Sequence, residues 1–84
     1  MALWWLTYRR SSELAGVAII EAASLIHARM RAAIDGLDAG LQFAEGHKLD
    51  AKMTAALKPA EIGRMLTITM ARRILKRFEG RPHP

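Results

Sequence analysis

Four cations stand close together near the end of the chain: Arg72, Arg73, Lys76 and Arg77. On a helix they gather on one side, opposite an apolar stripe of Ile68, Ala71, Ile74, Leu75 and Phe78. Guanidinium and ammonium groups arranged in this way can track a phosphate backbone, a contact that weakens as salt competes with it. The same residues also suit a plain solvated face, because cations in a last turn complement the helix dipole. They are the candidate anion or nucleic-acid contact.

Other residue types that do chemistry are poorly placed for it. None of His27, His47 and His83 has a second histidine or a cysteine at metal-ligand spacing. His47 with Glu45 and Asp50 comes nearest to a ligand set. Ser24 reads as a helix cap, and Ser11 and Ser12 as turn residues, which leaves no hydroxyl beside a base. The glycines are scattered, so no phosphate-cradling loop is formed. Asp35 and Asp38 are the closely spaced carboxylates, and they suit a solvated helix end. No catalytic, cofactor-binding or metal-ligating residue is assigned, and the chain is expected not to be an enzyme.

The pair Trp4-Trp5 raises a different question. Adjacent residues of a strand point to opposite faces. One indole enters the core under the helices, and the other meets solvent, a second layer or another molecule. An outward Trp5, with Leu3 and with Ala18 and Ile20 of the next strand, makes an apolar patch. The expectation is a homodimer built on an open sheet face through Leu3, Trp5, Ala18 and Ile20. Helices on both sides of the sheet are the alternative.

The elements that position these groups follow from periodicity. Residues 2–9 read as an aromatic-rich strand, and RRSSE (Arg9–Glu13) as a turn. Leu14–Glu21 returns antiparallel, with Gly16 marking a bulge or irregular start. Val17, Ile19 and Ile20 favour a strand, after which Ser24 caps a helix reaching Leu37. An all-helical reading of 14–37 is the rival. On that helix Ile26, Met30, Ala33, Ile34 and Leu37 are expected to face the sheet. His27, Arg31 and Asp35 face away, Arg31 and Asp35 being spaced for an ion pair. Gly36 and Gly40 are the stops.

Leu41–Leu49 reads as a third strand, with Leu41, Phe43 and Leu49 on one face and Gln42 and Lys48 on the other. If parallel, it is reached by a right-handed crossover and lies beside the first strand, in the order 2-1-3, or at the other edge. Asp50 caps a short helix, Ala51–Leu57, and Pro59 opens a turn towards Leu66. Thr67 caps the last helix, Ile68–Glu79, and Gly80 stops it. Residues 80–84 are expected to be a disordered tail. The stretch Glu61–Arg77 resembles part of a helix-turn-helix at Ile62, Gly63, Leu66, Ile68 and Thr69. Thr67 stands where that motif has its turn glycine, and Arg73 and Lys76 occupy its apolar positions. No functional residue is carried over from it.

These readings make a single α+β domain over residues 1–79. Its core is a small three-stranded mixed sheet (ββαβ), with one or two C-terminal helices packed on it. Charge is unevenly placed. Residues 1–61 hold seven Lys/Arg and seven Asp/Glu, whereas residues 62–84 hold six Lys/Arg against Glu79 alone. With no cysteine the fold rests on packing, and a cytoplasmic setting fits. No stretch reads as a membrane span, and the N-terminus lacks a signal-peptide pattern. The expected function is a non-enzymatic interaction module that self-associates through the sheet and needs no cofactor. Nucleic-acid binding by the last helix is the alternative, and no small-molecule ligand is specified.

Overall fold

The computed structural model describes residues 1–79; the expected stop at Gly80, the tail and His83 lie outside the described residues. The order of elements is β1 (Ala2–Arg10), β2 (Glu13–Ala22), α1 (Leu25–Ile34), β3 (Gln42–Lys48), α2 (Ala51–Ala55), a 3-10 turn (Pro59–Glu61), β4 (Met65–Leu66) and α3 (Ile68–Glu79). The sheet has the strand order β3-β1-β2-β4, and every pairing is antiparallel. This corrects the expected three-stranded mixed sheet. β3 lies beside β1, as in the expected order 2-1-3, and antiparallel to it. β2 and β3 therefore run the same way without touching, and the connection through α1 passes across β1.

β1 and β2 form the expected hairpin, with Trp5 opposite Ile19 and Tyr8 opposite Gly16. Tyr8 and Arg9 pair with Gly16 and Leu14, so Ala15 is an extra residue beside the expected bulge position. A second irregularity places Tyr8 and Thr7 opposite Phe43 and Glu45, which leaves Ala44 extra on β3. That insertion shifts the alternation. Phe43 packs on one face of the sheet and Leu49 on the other, against the expectation that they share a face.

The caps fall where serine, aspartate and threonine predict them. The Ser24 hydroxyl accepts from the His27 amide, the Asp50 carboxylate from Met53, and the Thr67 hydroxyl from Met70. α1 ends before Gly36, whose φ of 72° suits a residue without a Cβ. α2 is shorter than the expected 51–57. The Pro59 turn closes after one turn, and the chain then adds β4 to the outer edge of β2. This 3-10 turn and strand occupy the place of a first helix, so no helix-turn-helix is formed.

Two cores result, one on each side of the sheet. Leu3, Trp5, Val17, Ile19, Leu49 and Leu66 pack under Ala71 and Ile74 of α3. Leu6, Tyr8, Ala18, Ile20 and Ala22 pack under Ala28 and Ala32 of α1. Both tryptophans are accommodated. The Trp5 ring meets Phe78 edge-on at 5.7 Å, and the Trp4 indole N–H donates to the Ala22 carbonyl at 3.0 Å. Leu3, Trp5, Ala18 and Ile20 do not form one outward patch. All four are buried within the single chain, the first two beneath α3 and the last two beneath α1. Strand parity explains the split, because Trp5 faces Ile19 across the hairpin.

Beside the β4 pairing, Gly16 has no room for a side chain. A Cβ built there lies 2.8 Å from the Leu66 carbonyl oxygen and 2.9 Å from Met65 Sδ. The carbonyl belongs to the backbone and cannot swing aside. Gly16→Ala is expected to destabilise the fold by about 1–3 kcal/mol, read as a lower denaturant midpoint.

Candidate functional site

The outer side of α1 carries the largest departure from the sequence reading. Ile26, Met30 and Ile34, expected to face the sheet, are 68%, 54% and 76% exposed. The helix is turned so that its alanines point inward. Those three residues are spaced four apart and form one continuous ridge. Met1, at 93% exposure, adjoins an open groove on one side, in which Met30, Ile34 and Ile62 are interspersed with Glu21, His27, Arg31 and Asp35. On the other side Arg29 lies over the Phe43 ring, 4.1 Å from its centroid, and ties α1 to β3. The expected Arg31–Asp35 pair is present at 3.4 Å on the exposed flank.

The four cations of α3 do not act alike. Arg72, Arg73 and Lys76 are exposed, and none takes part in an ion pair with a described residue. Arg77 turns back into the structure. One guanidinium nitrogen donates to the Ala56 carbonyl at 2.7 Å and to Glu61 Oε1 at 3.0 Å; the other donates to Glu61 Oε2 at 2.6 Å. Glu61 Oε1 also accepts from the Lys58 amide at 2.8 Å. A forked contact to a buried carboxylate of this kind is geometrically specific. It pins the end of α3 to the 3-10 turn and to the end of α2. Arg77 is therefore a structural residue, and the outward basic face of α3 consists of Arg72, Arg73 and Lys76.

The remaining candidates are separated by the fold. His47 and Glu45 are 3.7 Å apart on exposed β3, while the Asp50 carboxylate is committed to capping α2. Ser24 is held by its cap and by the His27 ring nitrogen at 3.1 Å. Among the described residues no helix is long and apolar enough to cross a membrane. Compared with known protein families, curated proteins and solved structures, the chain matches none of them.

Hydrogen bonding and the positive charge of Arg77 hold the Glu61 carboxyl at about 2, well below the usual 4.5, although burial opposes this. A carboxylate depressed in the folded state stabilises fully above its unfolded value, and that contribution is lost as pH falls towards 2. Glu61→Gln is expected to lower stability by about 2–3 kcal/mol at neutral pH. In urea unfolding the gap between the two proteins narrows at pH 3.

Proposed function

We propose that the chain is a non-enzymatic interaction module that self-associates through the outer face of α1. The observation that carries this reading is the exposed ridge of Ile26, Met30 and Ile34 on a helix whose buried residues are Ala28 and Ala32. A monomer gains nothing from three large aliphatic side chains held in water on one ridge. A second copy is the occupant that supplies a matching surface without any further assumption. The ridge is symmetric about Met30, with isoleucine four residues to either side, so a two-fold contact sets each Ile26 against the partner's Ile34. The lack of cysteine suits the reducing cytoplasm as the setting.

A standard interface buries ~800 Å² on each partner. The ridge supplies its apolar centre, and Met1 with the adjoining groove widens it. Rim charge is mixed, since Arg31 is already paired with Asp35 and Arg29 sits on Phe43. Two copies therefore meet without burying a free charge at the centre of the contact.

The test is the mass in solution of the wild type and of Met30→Gln/Ile34→Gln. Glutamine is a good helix former and leaves net charge unchanged. Light scattering over a concentration series is expected to give a dimer for the wild type. The double variant is expected to dissociate about a hundredfold more readily, because each interface loses four aliphatic side chains. Its circular dichroism should match the wild type, since both positions are exposed in the single chain. A wild type monomeric at every concentration would sink the reading.

A further inference from the structure

The two outward helix faces differ in chemistry and point away from each other across the sheet. α1 presents Ile26, Met30 and Ile34 on one side, and α3 presents Arg72, Arg73 and Lys76 on the other. Charge divides along the same line. Residues 1–48, which build β1, β2, β3 and α1, hold five Lys/Arg and five Asp/Glu. Residues 49–79, which build α2, the 3-10 turn, β4 and α3, hold seven Lys/Arg and three Asp/Glu. Glu61 is buried against Arg77 and Asp50 caps α2, so neither carboxylate offsets the outer cations of α3. The positive excess thus belongs to the segment that ends in α3, whose outer face carries Arg72, Arg73 and Lys76.

We infer that the outer face of α3 binds the phosphate backbone of duplex nucleic acid, and that a dimer joined through α1 bridges two duplexes. The second part rests on the self-association proposed above; the first stands without it. Arg72 and Lys76 lie one turn apart, with Arg73 beside them and Thr69 completing the face. Cations dominate this surface, and cations supply the phosphate contacts that set affinity for a duplex whatever its sequence. Pairing through α1 stacks the layers as α3, sheet, α1, then the partner's α1, sheet and α3. The two basic faces end up back to back. They cannot both grip one stretch of straight duplex, and each is free to hold a separate one.

The experiment uses a generic duplex tethered to beads and a second, fluorescent duplex free in solution. Wild-type protein is expected to bind the labelled duplex in solution and to draw it onto the beads, both effects fading as salt rises. Arg72→Ala/Arg73→Ala/Lys76→Ala is expected to lose at least about tenfold in affinity, and its log–log salt slope to shrink by roughly two to three. Met30→Gln/Ile34→Gln is expected to keep the affinity and lose the capture. Duplex binding by the triple variant equal to that of the wild type would overturn the assignment of the surface. Capture by the double variant, shown monomeric in the same buffer, would overturn the bridging arrangement. Wild type that binds duplex as a monomer and captures nothing would remove self-association and bridging together while leaving the α3 contact standing. Vesicles of anionic lipid serve as a parallel arm: binding to them at a salt concentration where duplex is not bound would assign the cations to a membrane surface and overturn the nucleic-acid reading.

Discussion

The volume between α1 and the sheet is filled from the sheet side, and much else depends on that. Leu6, Tyr8 and Ile20 rise from the strands into this layer, with Trp4 and Phe43 at its margins. Little space is left for the helix to fill. Ala28 and Ala32 fit it, and Leu25 reaches down where Gly46 has no side chain; a Cβ there would lie 2.5 Å from Leu25 Cδ1. Interiors are packed to crystal-like density, so a helix entering a nearly full layer must present small residues. The bulky aliphatics of α1 are thereby turned to the outside. The apolar outer ridge is thus a direct consequence of how the strands pack.

The opposite layer is arranged differently. There the helix contributes larger groups, Ile74 to the core and Phe78 against Trp5. A forked ion pair between Arg77 and Glu61 closes its end. Taking one partner away would strand a buried charge, which costs more than the pair itself contributes. The clamp also fixes the rotation of α3 about its own axis. With Ala71 and Ile74 inward and Arg77 held sideways, Arg72, Arg73 and Lys76 are left exposed on the outer side of α3. The α1 layer thus exports an aliphatic ridge and the α3 layer chiefly charge, with Leu75, expected in the inward stripe, 44% exposed at the flank of α3.

Much of this was legible in the sequence wherever a local signal decides the outcome. A turn within Arg9–Glu13, the caps at Ser24, Asp50 and Thr67 and the span of α3 all follow from residue chemistry within a few positions. The rotation of α1 was not legible, because that helix has two apolar sides, one of alanines and one of isoleucines and a methionine. Periodicity favours the larger residues, and the choice between the sides is made by strands elsewhere in the chain. The alternation of β3 was lost at Ala44, since a bulge moves every later side chain to the other face. β4 is two residues long and exists through its pairing with Val17 and Ala18. Arg77 differs from its neighbours through Glu61 and the Ala56 carbonyl, sixteen and twenty-one positions away. A charge pattern read along one helix carries no trace of such a partner.

The sheet has two margins, and they are guarded unequally. Along β2, residues 63–66 cover the rim: Gly63 donates to the Ile19 carbonyl at 2.7 Å, and β4 continues the ladder. Along β3 no strand among the described residues pairs with the outward backbone, but its run is broken at Ala44 and flanked by Glu45, His47 and Lys48. A kinked, charged rim is a poor template for another strand. Growth by end-to-end strand addition is therefore discouraged at both margins. The proposed association through α1 uses up its surface in a single pairing, which would yield a closed particle of fixed size and not a fibre.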